Sequence, residues 1–313
     1  MTRPRIWIDC DPGHDDVVAI LLAAHFGELV GISTVAGNSR LTHTTANALI
    51  TAQLFDLEIP VHPGCDRPLV QAPVYAPDIH GESGLAGPVL PAITRSAEDL
   101  HGVLAIVEAT RNNPGLWLVP TGPLTNVAMA LRLEPSLVER IAGISLMGGG
   151  PTFGNKTPWA EFNIWADPEA AAIVFASGAP VINMCGLNVT HEVLVSLEHA
   201  EEMRATAPGE RGAFLADVLT HFATAYRTMF FEEALGPLHD PCAVLALTHP
   251  ELLMLEPRHV EIELTGSHTR GMTVADQRGV KVGAPANAMV ATAIDGPGTV
   301  RLILDTLADL ARA

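Results

Sequence analysis

The chain has 313 residues, 48% of them hydrophobic, enough to bury a substantial core as one large α/β domain or two small ones. Its formal net charge is −17, from 35 acidic against 18 basic residues, and only Lys156 and Lys281 are lysines, so its surface repels phosphate backbones and anionic membranes. Nucleic-acid and membrane partners are therefore disfavoured, and a neutral small molecule or a cation suits the chain better.

In chain order, the first expected strand is RIWIDC (5 to 10), followed by the helical pattern DDVVAILLAAHF. A second strand, LVGISTVAG (29 to 37), leads into the helix THTTANALITAQLF. The Pro- and Gly-rich stretch from Val61 to Pro91 has no clear periodicity and reads as a long loop, of the kind that is usually functional and here suits a lid. Then come the helix AEDLHGVLAIVEATR, the strand GLWLVPTG (115 to 122), the helix PLTNVAMALRL, the strand AGISLMGG (142 to 149), the helix DPEAAAIVFASG and the strand PVINMCG (180 to 186). The last third is less regular. It holds a helix around 211 to 229, another after Asp240, strands near VEIELTG and GMTVAD, and a closing helix from about Thr299 to Ala311.

Short β-rich runs alternating with longer helical patterns predict a doubly wound α/β fold, a mostly parallel open sheet with helices on both faces. No Ser/Gly-rich linker, repeat or low-complexity tract divides the chain, so residues 1–313 are expected to form a single domain. Cys10, Cys65, Cys185 and Cys242 are scattered without CxxC pairing, as in a reduced cytoplasmic protein. The N-terminus carries no long apolar region with a cleavage site, and no apolar run reaches membrane-spanning length uninterrupted.

The segment IDCDPGHDD places Asp9, Asp11, Asp15 and Asp16 together at the first strand-to-helix junction. In a doubly wound sheet that junction lies at the carboxyl edge, where ligands bind. Helix capping explains part of this, since Asp is a favoured N-cap and acidic residues suit the first turn. The chain supplies a control, because Asp-Pro precedes a helical pattern three times, at Asp11, Asp167 and Asp240. One carboxylate suffices for a cap, which is the only role expected of Asp167. Crowded like charges raise each other's pKa unless a cation neutralises them, so a divalent metal is the simpler account of Asp11, Asp15 and Asp16. Without a His/Cys cluster of zinc type, the hard oxygen donors suit Ca²⁺ or Mg²⁺, and Ca²⁺ tolerates a crowded, irregular cage better. Asp9, inside the strand, is expected only to support the others.

Other polar groups fall where strands end. They are Asn38 in VAGN, Thr121 in VPTGPLTN with a free backbone carbonyl, Asn155 in GGGPTFGN, and Glu161 and Asn163 in AEFN. Each alone is an ordinary turn or helix-entry residue. Together at successive carboxyl edges they suit a polyol bound over a metal. His239, beside Asp240, stands where an imidazole could protonate a leaving group. His80 reads equally as a solvated loop histidine or a substrate contact.

The ordered motifs DCDPGHDD, VAGN, HGESGL, VPTGPLTN, LMGGG, AEFN, DPEAA, HDPCAV and GMTVAD, from Ile8 to about Asp276, resemble those of the inosine-uridine-preferring nucleoside hydrolases. The resemblance implies a Ca²⁺-dependent N-ribohydrolase that cleaves the bond between base and ribose of purine or pyrimidine ribonucleosides. It also implies the ligand set: carboxylates of Asp11, Asp16 and Asp240 with the Thr121 carbonyl on the metal, Asp11 as base toward water, and His239 at the leaving group. Asp15, Asn38 and Asn163 would bind ribose hydroxyls, Asn155 and Glu161 the 5′-hydroxyl, and Met147 would pack in the pocket. Phe222 and Tyr226, one helical turn apart, are base neighbours or equally a core-facing pair. A homodimer or homotetramer is expected. Two rivals remain: a non-catalytic nucleoside- or ribose-binding protein, and a DxD-type phosphatase, which would need a lysine and a Ser/Thr phosphate clamp.

Overall fold

Alternation along the strands decides which side chains meet which layer. In β1 (Arg5–Cys10), Ile6, Ile8 and Cys10 enter one apolar core while Trp7 enters another on the opposite face of the sheet. The computed structural model, which describes residues 3–278 and 283–313, is thus built around one sheet with a core on each side. Lys281 lies outside the described residues.

After β1 come α1 (His14–Phe26), β2 (Glu28–Thr34), α2 (Leu41–Leu54), β3 (Val61–Pro63), the short α3 (Pro77–His80), α4 (Gly102–Asn112), β4 (Leu116–Pro120), α5 (Thr125–Leu133) and β5 (Ile141–Met147). The chain continues through α6 (Phe162–Ala166), α7 (Pro168–Phe175), β6 (Ile182–Cys185), α8 (Leu187–Thr190), β7 (Leu194–Ser196), α9 (Leu197–Thr206), α10 (Glu210–Met229) and β8 (Leu235–Pro237). It closes with α11 (Pro241–Thr248), β9 (Leu253–Arg258), β10 (Val260–Ile262), β11 (Thr273–Ala275), β12 (Ala288–Ile294) and α12 (Gly296–Arg312).

The eight-stranded sheet runs β3-β2-β1-β4-β5-β6-β12-β9, parallel throughout except for β9, which pairs antiparallel with β12. The first six strands follow the doubly wound order 3-2-1-4-5-6, whose direction reverses between β1 and β4. A crevice opens there because successive connections leave to opposite faces.

Helix α1 is buried from His14 to Ala23 on every side. A helix apolar all round belongs in a core, and this one lies between the sheet, α11 and α12. Helices α4, α5 and α7 cover the other face.

The structure revises two expectations of local structure. The segment after Val61 opens as a sheet-edge strand, β3, paired with β2, because its VHP run meets the free edge left by Ile32–Thr34. Helix α4 begins only at Gly102, with the His101 side chain accepting from Val103 N, rather than at Ala97. All four cysteines are free, and among the described residues no helix is long and apolar enough to cross a membrane.

Candidate active site

The carboxyl ends of β1 and β4 meet at the reversal point, where Thr121 N donates to Asp9 O at 2.9 Å. Asp11 follows β1 directly, fully buried. Its Oδ2 accepts from Asn38 N at 2.6 Å, and Asn38 Nδ2 donates to the Asp11 carbonyl at 3.2 Å. Only glycine fits around this carboxylate: a Cβ on Gly37 would come within 2.0 Å of Oδ2, and one on Gly122 within 2.5 Å of Oδ1. Oδ1 itself has no hydrogen-bond partner among the described residues.

Helix α1 presents Asp15 and Asp16 in its first turn. The cap of α1 is Gly13, whose N–H donates to Asp16 Oδ2 at 2.9 Å; Asp16, not Asp11, is therefore the capping carboxylate. Asp16 Oδ1 accepts from Thr121 Oγ1 at 2.8 Å. The third acidic group arrives from the far end of the chain. Strands β7 and β8 pair as a small antiparallel sheet, and Leu238 N donates to Val193 O, which delivers His239 and Asp240 to the same crevice. Asp240 has helical dihedral angles and makes no side-chain cap, so its carboxylate is not spent on α11.

Carboxylate oxygens of Asp15, Asp16 and Asp240 lie within 4.8 Å of one another. Burial, and then mutual repulsion, push Asp15 up to about 8 and Asp11 and Asp240 well above the carboxylate range, and burial raises Asp16 against its hydrogen-bond donors. Three buried acids at this spacing need either protons or a cation. The donors are all hard oxygens, and Asp11 Oδ1 is a buried acceptor lacking a donor, so the set fits an oxygen-loving divalent metal. The tightest trio contains Asp15, which the sequence set toward the sugar, while Asp11 faces Asn38 beside it.

A cleft opens over this cluster. Asp15, Asn38, His80, Thr121, Met147, Asn155, Glu161, Asn163, Tyr226, His239 and Asp240 all line it, and so bring together nearly every residue selected from the sequence. Asn163 Nδ2 donates to Thr121 O at 2.7 Å and also approaches Met147 O at 3.3 Å, tying the ends of β4 and β5. Glu161 caps α6 and accepts from Asn163 N, Ile164 N and Gly149 N; burial still pushes it up to about 7 against these donors. Asn155 Oδ1 accepts from Phe162 N at 2.9 Å.

Phe222 does not line the cleft. It is 1% exposed, packs against His14 and sits where Gly236 leaves room for its ring. Tyr226, one turn later, does reach the cavity. Its Oη lies 2.9 Å from His239 Nε2, and His239 Nδ1 lies 2.7 Å from Thr190 Oγ1. Burial, reinforced by His191, holds the His239 imidazole well below its ordinary pKa, so it is neutral.

Sequence reasoning missed several residues here. Thr190 had no signal. Tyr75, Met229 and Phe230 line the cleft from loop and helix-end positions. Lys156, which belongs to none of the motifs, also lines it, with Nζ over the rings of Phe162 and Trp165. His14 falls inside the motif DCDPGHDD with no role assigned to it. It is fully buried and contacts His80.

A sequence model of the inosine-uridine preferring nucleoside hydrolase family matches residues 6–301. The chain belongs to that family. This nucleoside hydrolase is 39% identical over 300 residues, 94% of each chain, to the pyrimidine-specific ribonucleoside hydrolase RihB of Escherichia coli O1:K1 / APEC, and equally to that of Escherichia fergusonii. Among solved structures it is similar to a purine-preferring ribonucleoside hydrolase from Gardnerella vaginalis. The TM-score is 0.92 at 32% identity, covering 98% of this chain and 99% of that one. A plant nucleoside hydrolase matches with a TM-score of 0.88 at 28% identity, covering 97% and 99%. The nucleoside hydrolase is accordingly an enzyme of N-glycosyl bond hydrolysis, and its acidic cluster is the part of the cleft able to hold a metal.

Proposed function

We propose that the chain, working as a single domain, hydrolyses pyrimidine ribonucleosides to free base and ribose with Ca²⁺ held by Asp11, Asp15, Asp16, Asp240 and the Thr121 carbonyl. One observation carries this reading: Asp15 and Asp240 of the buried carboxylate trio line a single cleft together with the amides and carboxylate of Asn38, Asn155, Glu161 and Asn163 and with the Tyr226–His239 pair. The pyrimidine preference rests on the higher identity to pyrimidine-specific relatives, 39% against 32% for the purine-preferring structure.

When bound, the cation would acidify a water and orient the ribose diol. The chain's own groups supply the rest. Asp11, with Oδ1 unpartnered, is the base that takes the water's proton. Asp15, Asn38 and Asn163 hold ribose hydroxyls, Asn155 and Glu161 the 5′-hydroxyl, and Met147 packs beneath the sugar. Positive charge growing on the ribose ring is stabilised by these oxygens as the bond to the base lengthens.

Negative charge grows on the base, and a proton donor must meet it. His239, neutral and engaged at both nitrogens, is poorly placed to donate directly. Orientation solves this: Thr190 Oγ1 donates to Nδ1, Nε2–H donates to Tyr226 Oη, and the phenol hydrogen is left for the base. His239 then acts through Tyr226, by polarising the phenol.

A cytoplasmic homodimer or homotetramer is the working form we propose. A reducing-sugar assay over uridine, cytidine, inosine and adenosine, with Ca²⁺ present, tests the function. Ribose release fastest from the pyrimidines is expected; none from any of the four would overturn it.

A further inference from the structure

We propose that Lys156 is a positioning residue: its ammonium, seated on the rings of Phe162 and Trp165, clips the 154–160 turn back onto α6 and so holds the Asn155 amide with its NH₂ toward the 5′-oxygen of the substrate. The substrate half of this inference rests on the nucleoside hydrolase reading above; the clip itself does not.

The orientation of Asn155 follows from its partner. The backbone N–H of Phe162 can only donate, so the side-chain atom that meets it at 2.9 Å is the carbonyl oxygen Oδ1. With Oδ1 turned to α6, the group left for the cleft that Asn155 lines is Nδ2. An amide nitrogen offers hydrogens only, so it complements an oxygen with free lone pairs. Glu161, on the same wall, is an acceptor, and the two together read a hydroxyl at both its oxygen and its hydrogen.

The turn that carries Asn155 is closed on itself. Gly154 N donates to Pro158 O at 3.0 Å, Lys156 N to Ala160 O at 3.1 Å, and Ala160 N to Thr157 Oγ1 at 2.9 Å. A Cβ on Gly154 would fall 2.3 Å from Ala160 N, so the closure admits only glycine there. Buried Ala160 and Glu161 anchor the end of the turn next to α6. Its tip has no such anchor, since Pro158 is exposed and Trp159 is 45% exposed. Internal bonds thus shape the turn without deciding how it lies against the helix.

Two adjacent residues decide that. Asn155 bonds to Phe162 N, and Lys156 Nζ lies 5.8 Å from the centroid of the Phe162 ring and 5.3 Å from that of Trp165. Both distances are within reach of a cation–π contact. Phe162 and Trp165 stand at i and i+3 on α6, where side chains are neighbours, so one ammonium serves both rings. Lys156 therefore pins the residue next to the one that meets the substrate.

The experiment pairs hydrogen exchange at Phe162 N–H, followed by NMR in the full-length protein, with kcat/KM for uridine and for 5′-deoxyuridine, which lacks the 5′-oxygen. Lys156→Gln keeps a long polar side chain and removes the charge. It should speed exchange at Phe162 by about threefold to tenfold, the scale of an exposed cation–π contact, and lower kcat/KM for uridine by a like factor. With 5′-deoxyuridine the change should stay below about twofold. Lys156→Arg, whose guanidinium also stacks on aromatic faces, should restore both signatures. In Asn155→Ala, adding Lys156→Gln should cost uridine nothing further, because Lys156 acts through Asn155. Unchanged exchange in Lys156→Gln, or equal losses on the two nucleosides, would overturn the proposal. So would a further loss in the Asn155→Ala background, by showing that the ammonium touches the substrate itself. A protein with the expected exchange pattern that cleaves neither nucleoside would instead refute the hydrolase reading and leave the clip standing.

Discussion

Tyr226 Oη and His239 Nε2 are 2.9 Å apart, so the imidazole meets the cleft through a phenol rather than directly. Burial pushes the Tyr226 hydroxyl well above its ordinary pKa, which keeps it protonated and able to donate across the working pH range. Tyr226→Phe should lower kcat for uridine by about 10² to 10⁴, the usual worth of a positioned acid, with KM nearly unchanged. A riboside with an activated leaving group such as p-nitrophenyl should lose less than about tenfold. His239→Ala should show the same selectivity, and the double variant should be no worse than the single ones, because the pair acts as one unit. Equal losses on both substrates would remove the leaving-group role.

The packing of Asp15, Asp16 and Asp240 within 4.8 Å makes a second expectation. Without metal these carboxylates repel, so Asp240→Asn should melt several degrees higher than the metal-free wild type. Adding Ca²⁺ at a hundred times its Kd should stabilise the wild type by about 2.7 kcal/mol, and the variant hardly at all. Differential scanning calorimetry with chelator and with Ca²⁺ measures all four states. A variant as responsive to Ca²⁺ as the wild type would exclude Asp240 from the metal site.

The parallel sheet was legible because buried strands and amphipathic helices alternate with period 2 and period 3.6, and the acidic junction was legible because four aspartates exceed what a helix cap uses. What was not legible depends on distant partners. Asp240 and Asp167 share the same Asp-Pro entry, yet the first leaves its carboxylate free while the second uses it as a cap. Phe222 and Tyr226 share a helix face, and only the glycine opposite, Gly236, decides that the first packs into the core. His14 finds its partners in His80, Ala86 and His221, none of them near it in sequence. The small β7–β8 sheet that sets His239 in place consists of two three-residue strands, too short for any periodic signal.

Asp167 supplies a control for purely structural effects. Its Oδ1 accepts from Ala170 N, and its Oδ2 accepts from Thr125 Oγ1 at 2.7 Å and Leu69 N at 2.9 Å, away from the cleft lining. Asp167→Ala removes a helix cap and strands two donors, for a loss of about 3 kcal/mol. Urea unfolding should show this loss while kcat at 25 °C, per folded molecule, stays within about twofold. A large fall in kcat would mean that Asp167 reaches the site through α6 and Asn163.

Asp9 gives stability a pH dependence whose sign is unusual for an aspartate. Its Oδ1 accepts from Ser33 Oγ and Asn126 Nδ2, Oδ2 has no partner, and burial raises the carboxyl from 3.8 to about 7 despite those two donors. Between those values the native state keeps a proton that the unfolded chain releases. Stability from this group is therefore complete below pH 4 and is lost as pH rises through 7, by at most about 4 kcal/mol. Asp9→Asn keeps both donors to Oδ1 and cannot ionise. In metal-free protein the variant should consequently gain on the wild type as pH is raised from 4.5 to 8, approaching that figure, while at pH 4.5 it is no more stable. Urea midpoints at the two pH values decide the matter: an offset between variant and wild type that is constant with pH would show that Asp9 does not titrate in this window.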